Sequence, residues 1–341
     1  MKKLCVGIDV AKNKFDVAFT VDGENYFGHS SFKNSIQGFE ELLSLSNKYK
    51  KEFKTKTIHL CMEATGIYHC ELCEYLHKYS ALAVSVVNPF QSKSFSKSLL
   101  LRTKNDKVDS EMLARLCFER KLKQTKSVPL NIKELRCLVR LHNAEVKKKT
   151  EERNRLYTEM SEISRDIIRE NILFIDKQLK SIEDKITQII NNDDKLKNDL
   201  KLLLTVPCIG KKSAWIILSE YIYESPDEIR PKSCVAHAGL SPKAYDSADK
   251  QYHKPHISKE GVARIRSILY MAALTCVANE NYFTSFYNHL VEKGKAKKIA
   301  LTAVSRKVLL NAMGVLKNQK PFDKNWAIKT NEDYLKNLKV A

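Results

Sequence analysis

The feature that most constrains this chain is an apolar run closed by an acid. Residues 4–8 (LCVGI) have the length and character of a buried strand, and Asp9 ends it. Residues 14–21 (KFDVAFTV) read as a second strand, and 10–13 leave room only for a tight connection. The pair predicts a β-hairpin with a carboxylate at the rim of an apolar sheet. Such a carboxylate costs free energy unless water, a basic group or a divalent cation compensates it. A solvated acid at a strand end fits the same pattern, so the meaning of Asp9 depends on the acids that the rest of the chain brings to it.

The next hundred residues extend the hairpin into an α/β domain. Strands are expected over 25–30, 57–62 (TIHLCM, ending at Glu63) and 82–87 (LAVSVV, stopped by Asn88-Pro89), with helices over 35–49 and 66–78. Three strands, a helix, a strand, a helix and a strand is the order of an RNase H-like (RuvC-like) domain. Residues 91–107 are basic and rich in Ser and Thr, and read as an exposed loop or short helix. Asn105 is a fitting N-cap for a helix from Asp106 to about Lys121. Asp106 and Asp109 then share one face of its first turn.

Residues 131–200 hold almost no Gly or Pro. Ile175, Leu179, Ile182, Ile186, Ile189, Leu196, Leu200 and Leu203 fall at heptad spacing, and a shorter stripe (Leu156, Met160, Ile163, Ile167) precedes them. This predicts two helices paired as an antiparallel hairpin or between chains, a coiled coil that serves oligomerisation. Helices packed on their own domain are the alternative. Residues 206–214 (VPCIGKKSA) resemble the turn of a helix-hairpin-helix, which offers backbone N–H groups and lysines to phosphates. An ordinary helix corner fits too. The expected fold class is α/β plus α. An RNase H-like (RuvC-like) domain spans 1–125, a helical coiled-coil region 126–200, and a mainly α-helical domain 201–341.

Charge narrows the partners. Lys and Arg number 59 against 40 acids, a formal +19, and residues 201–341 supply +11 of it. Such an excess favours a polyanion, most often nucleic acid. No basic amphipathic anchor or long uncharged apolar run points to a membrane, and no apolar leader follows the N-terminal lysines. Candidate nucleic-acid contacts are Lys93, Lys97, Arg102, Lys104, Lys211, Lys212, Lys254, Lys259, Arg264 and Arg266, although solvated helix faces carry such residues as well. The nine cysteines are odd in number and scattered, which predicts reduced thiols in the cytoplasm. Cys70-x-x-Cys73 lacks the second Cys or His pair of a zinc site.

Asp9, Glu63, Asp106 and Asp109 now have a common setting. In an RNase H-like sheet the first and fourth strands are neighbours, and the helix with the Asp pair can pack across their ends. Clustered carboxylates repel and stay protonated without a cation. Oxygen ligands alone suit Mg²⁺ or Mn²⁺, which support phosphoryl transfer.

The wording of these stretches carries a resemblance. Gly7-Ile-Asp9-Val-Ala-Lys12, Glu63-Ala-Thr-Gly66 and Asp106-Lys-Val-Asp109 with Ala114 resemble the motifs of the DEDD-type insertion-sequence transposase family. Its members join a RuvC-like N-terminal domain to a C-terminal transposase domain, and pilin-gene invertases are relatives. Val206-Pro-x-Ile-Gly210, Ala238-Gly-Leu-x-Pro242, Ile257-Ser-Lys-x-Gly261 and Arg266-x-x-Leu-Tyr270-x-Ala-Ala273 follow the same family in order, so nearly the whole chain is covered. The resemblance implies a DNA recombinase in which Ser247 attacks a DNA phosphate and forms a phosphoserine link. Asp9, Glu63, Asp106 and Asp109 would hold Mg²⁺ or Mn²⁺ beside it. It also implies a structured bridge RNA that pairs with target and donor DNA. A dimer to tetramer is implied as well, with the serine of one protomer meeting the metal site of another, at the nucleoid of a bacterial cell. The family usually has Gly after the serine, whereas this chain reads Ser247-Ala-Asp249, so Ser241 and Ser258 are rivals. Ser258 also fits a helix cap.

Three other functions fit parts of the pattern. A RuvC-like junction nuclease would use metal and water without a serine. An actin-like ATPase shares the first hairpin but needs glycine-rich phosphate loops, and the ten glycines are not grouped that way. A non-catalytic nucleic-acid-binding protein would not depend on Asp9.

Overall fold

The computed structural model describes residues 3–323 except 65, 101–104, 222–224, 244–245, 248–249, 252–255 and 280, and leaves out the side chains from 243 to 255. The chain divides into two compact units, Met1–Ser127 and Val128–Ala341.

The first unit is a mixed five-stranded sheet covered by helices. β1 (Lys3–Val10), β2 (Lys14–Thr20) and β3 (Phe27–Lys33) run antiparallel as a meander. After α1 (Ile36–Glu52), β4 (Thr57–Glu63) joins β1 in parallel, and after α2 (His69–Leu76), β5 (Leu82–Val87) joins β4. The order β3-β2-β1-β4-β5 makes β1 and β4 neighbours, in keeping with an RNase H-like sheet. α3 (Pro89–Ser98) and α4 (Asp106–Glu119) follow.

Strand parity sorts the side chains. Leu4, Val6, Ile8 and Val10 of β1 enter one core with Phe15, Phe19, Phe39, Leu60 and Leu72. Cys5 and Cys61 enter a second core with Leu113, Leu116 and Cys117 of α4. Gly7, Asp9, Asp16 and Glu63 share the parity of Cys5 and Cys61, so they belong to the face that α4 covers. The third strand lies two residues later than its sequence suggests, and α2 is shorter at both ends. The basic stretch opens as helix α3, because Asn88 is an N-cap as well as a strand stop. Its Oδ1 accepts from the Phe90 N–H at 2.8 Å, and Pro89 takes the first helical position.

The second unit is helical. α5 (Leu130–Thr158) and α6 (Glu162–Asn191) form an antiparallel hairpin within the chain, and α7 (Asp194–Leu204) and α8 (Lys211–Glu220) follow. α9 (Pro231–His237), α10 (Ala263–Ala278), α11 (Tyr282–Glu292) and α12 (Lys297–Asn318) complete the body. The heptad stripe is not one helix: Asp193 accepts from the Leu196 N–H at 3.0 Å and starts α7 afresh. Ile190 rather than Ile189 is buried, along with Ile175, Leu179, Ile182 and Ile186. Three of the four residues of the upstream stripe do not pack inside the chain. Met160 lies in the turn between α5 and α6, 97% exposed, and Ile163 and Ile167 are exposed on α6. Part of the hairpin seam is polar, with His142 bonded to Glu183 at 2.9 Å and Lys149 paired with Asp176. α12 is long and apolar enough to cross a membrane by length and composition, although Arg306 and Lys307 interrupt its apolar run. It is the central core helix, with Val304, Val308, Leu309, Ala312 and Met313 buried.

Between α9 and α10 the chain leaves the helical body as a narrow excursion. β6 (Pro242–Lys243) pairs with β9 (His256–Ile257), and β7 (Asp246–Ser247) pairs with β8 (Lys250–Gln251). Its foot is an interlock of two short loops. Ser258 N–H donates to the Ser241 carbonyl at 2.8 Å, Lys259 N–H to Gly239 at 3.1 Å and Val262 N–H to His237 at 2.9 Å. Gly239 (φ +68°) and Gly261 (φ +144°) adopt conformations that L side chains resist. A Cβ on Gly261 would lie 2.1 Å from the His237 carbonyl.

Candidate active site and nucleic-acid contacts

Asp9 is inside β1, one residue before its end, and half-buried. It faces Asp16 across the β1–β2 ladder. Glu63 ends β4, one residue beyond the Ile8–Met62 pair of the neighbouring ladder. Asp106 and Asp109 occupy the first turn of α4, whose N-cap Asn105 accepts from the Val108 N–H at 2.8 Å, as the spacing predicts. α4 reaches the sheet over Gly7. A Cβ there would fall 2.0 Å from the Ser110 carbonyl oxygen and 2.2 Å from the Ala114 nitrogen. The missing side chain therefore lets the helix lie directly on β1, with its acidic turn above Asp9.

The electrostatics show how close the acids are. The Asp9 carboxyl is pushed up to about 6, first by burial and then by Asp109, Asp106, Asp16 and Glu63 in turn. All four sequence-predicted carboxylates thus share one field. Among the described residues, no three His, Cys, Asp or Glu side chains close on a single point. The donors still fit a hard divalent cation by chemistry: all are carboxylates, and the half-buried one is destabilised by its neighbours.

Three residues of the site escaped the sequence reading. Lys14 Nζ bridges Asp16 at 2.9 Å and Asp106 at 2.7 Å, which holds the Asp106 carboxyl below its usual range. Asp16 adds a fifth acid. Ser92 of α3 donates its Oγ to Glu63 Oε2 at 2.6 Å and fixes that carboxylate. Alternation along KFD could have flagged Lys14 and Asp16, since both share the parity that faces α4. Lys14 occupies as a cation the place beside Asp106 that a metal would share. Lys14→Gln is expected to lower the Mg²⁺ concentration at half-saturation several-fold in a thermal-shift titration. A higher requirement would mean that Lys14 supports the ion instead of competing with it.

The basic candidates have different fates. Lys93 and Lys97 are exposed on α3, and Lys211 on the first turn of α8. Lys212 is paired with Glu183 at 3.2 Å. Lys259 is exposed at φ +55° in the interlock. Arg264 bonds Glu220 at 3.0 Å, and Arg266 donates to the carbonyls of Ala238 at 3.1 Å and Gly261 at 3.4 Å. Ser247 lies on β7 opposite Lys250. Its side chain, and Arg102, Lys104 and Lys254, lie outside the described residues. Of its rivals, Ser241 and Ser258 both sit in the interlock, joined by their backbones.

Comparison with known proteins bears directly on this arrangement. A transposase model of the DEDD IS110 type matches residues 6–164. A second, of the transposase IS116/IS110/IS902 family, matches 200–288. The pilin gene-inverting protein of Moraxella bovis is 31% identical over 326 residues, 95% of this chain and 99% of the relative. That of Moraxella lacunata matches to the same extent.

The chain belongs to the IS110 family of transposases. It is a DNA transposase or recombinase, and DNA is its partner. The first match takes in Asp9, Glu63, Asp106 and Asp109 with β4, α4 and β1 from Val6 onward, and runs on just past the tip of the α5–α6 hairpin. The second includes the α7–α8 turn, the interlock and Ser247. Transposases of the DEDD type generally use a divalent metal.

Proposed function

We propose that this IS110-family transposase cuts and rejoins DNA through a phosphoserine link to Ser247, assisted by Mg²⁺ or Mn²⁺ at Asp9, Glu63, Asp106 and Asp109. The observation that carries the reading is that the half-buried Asp9 carboxyl is raised, after burial, by Asp109, Asp106 and Glu63 together with Asp16. When bound, the metal would neutralise this cluster and stabilise charge developing on a phosphate. Ser92 holds Glu63 in place beforehand, and Lys14 neutralises Asp106 and Asp16 in the metal-free chain. Support for Ser247 comes from its setting: it is on an excursion anchored at both ends by the interlock, within the stretch matched by the family.

The covalent step balances without a co-reactant. Ser247 Oγ loses its proton and bonds to phosphorus, the bond from phosphorus to one sugar oxygen breaks, and that oxygen takes a proton. One phosphoester replaces another, so the strand can be passed to a new hydroxyl by the reverse reaction. A structured guide RNA, a homo-oligomer of two to four chains and work at the nucleoid of the bacterial cytoplasm complete the proposal. The exposed Met160, Ile163 and Ile167 at the hairpin tip are suited to contact between chains.

The test is a nicked suicide DNA incubated with Mg²⁺ and resolved under denaturing conditions. A protein–DNA adduct is expected from the wild type and none from Ser247→Ala. An adduct from Ser247→Ala would move the nucleophile to another residue. Cleavage with no adduct from either protein would favour a metal-dependent nuclease that uses water.

A further inference from the structure

Glu220 ends α8 with its side chain only 6% exposed. Two guanidiniums share its Oε1, Arg140 of α5 at 3.3 Å and Arg264 of α10 at 3.0 Å. Arg140 also reaches Oε2 at 3.4 Å. Arg136, one turn before Arg140, donates its Nε to the Ser219 carbonyl at 2.9 Å and adds its charge to the same spot. Burial pushes the Glu220 carboxyl up, but the Arg264 hydrogen bond and the charges of Arg140, Arg264 and Arg136 outweigh it. The carboxyl ends below its usual range and stays ionised. His237 faces the cluster too. Burial pushes it down, so it adds no charge at neutral pH.

One buried carboxylate is therefore shared by two arginines from two helices, so the two forks carry one more positive charge than the carboxylate between them. A pair that only held α8 to its neighbours would need one arginine, and each further one adds repulsion. Guanidiniums carry five N–H donors in a rigid fork that matches phosphate. Glu220 takes up part of the fork on Arg140 and Arg264, whose side chains remain 45% and 42% exposed. The cluster also has a telling place. Arg264 is two residues beyond Val262, whose N–H is held by the His237 carbonyl at the foot of the excursion that carries Ser247.

We propose that Arg140 and Arg264, arranged by Glu220, form a phosphodiester-binding site that holds a DNA strand at the foot of the Ser247 excursion. The proposal rests on the reading that the chain acts on DNA. Glu220 is then a positioning residue, which aligns two forks before DNA arrives.

The test is equilibrium binding of a labelled DNA duplex across a salt series by wild type, by R140Q/E220Q/R264Q and by R140K/R264K. The first variant replaces the buried pair with neutral hydrogen-bonding groups, so that no charge is stranded. The second keeps the charge and removes the fork. Circular dichroism and melting temperature establish that each is folded. The neutral variant is expected to bind on the order of tenfold more weakly at physiological salt, with a log–log salt slope shallower by about 1 or more. The lysine variant is expected to keep the slope and lose affinity. A folded neutral variant with wild-type slope and affinity would overturn the site while leaving the DNA reading intact. The same holds if the loss appears with a structured RNA and not with DNA. A wild type with no salt-dependent DNA binding would overturn both.

Discussion

Asp9→Asn is expected to make the metal-free protein more stable and to abolish its strand transfer. The stability follows from linkage. The Asp9 carboxyl titrates near 6 in the folded chain against 3.8 ordinarily. Between about pH 4 and 6 the folded state holds a proton that the unfolded state has lost, so stability falls as pH rises through that window. Above it the full penalty remains. Asparagine cannot ionise, so the variant escapes the penalty, by about 1–2 kcal/mol at neutral pH once solvent screening is allowed for. Added Mg²⁺ should raise the melting temperature of the wild type, because a ligand of the native state stabilises it. The same addition should do much less for the variant. Strand transfer should fall by about 10³-fold or more, the scale of losing several kcal/mol of metal-derived stabilisation. Differential scanning fluorimetry across pH and Mg²⁺, beside a strand-transfer assay, reads all three. A variant that is less stable than the wild type at neutral pH, or one that keeps its activity, would remove Asp9 from the role given to it.

Gly7→Ala should be nearly as damaging, although glycine has no chemistry to lose. The new methyl would meet backbone atoms of Ser110 and Ala114 at 2.0 and 2.2 Å, and backbone cannot turn aside as a side chain can. α4 must therefore move away from β1. Overpacking of this kind costs about 3 kcal/mol, or about 10 °C in melting temperature for a unit of this size. The functional loss should exceed the loss of folded protein, because the same displacement carries Asp106 and Asp109 away from Asp9. A shift of about 1 Å in such a site removes about 10²-fold in rate. The measurement is activity per folded molecule at a temperature where the variant is still native. Wild-type activity there would show that the acidic turn does not depend on the seat of the helix.

These two positions also show what the amino-acid order reveals and what it withholds. The short apolar run LCVGI is enough to predict a strand closed by Asp9, and strand parity then separates Asp9 from Val6 and Ile8. The N-cap at Asn105 and the pair Asp106 and Asp109 are local, so spacing locates them. Lys14, Asp16 and Ser92 are different. Their importance comes from cross-strand register and from the way a short helix in a Ser-rich basic stretch meets the end of β4. The heptad stripe misled for a related reason. Its spacing runs on through Asp193, but the backbone breaks there, since an aspartate before a helix start is a better cap than an interior residue. Met160, Ile163 and Ile167 continue the pattern in the sequence, yet the turn at 159–161 puts them outside the packed seam.

The interlock between Gly239–Ser241 and Ser258–Val262 has a consequence for how this chain can change. The excursion leaves and re-enters the helical body through a single stiff gateway, closed by backbone hydrogen bonds that no side chain in between supplies. The joining stretch therefore supplies none of the backbone bonds that close the two loops. Its length and composition can drift while the body keeps its shape, and the entropy of closing the loop is borne at the gateway instead of along its course. A DNA transposase with such a closure can take changes in the joining stretch without refolding the helical body that anchors it.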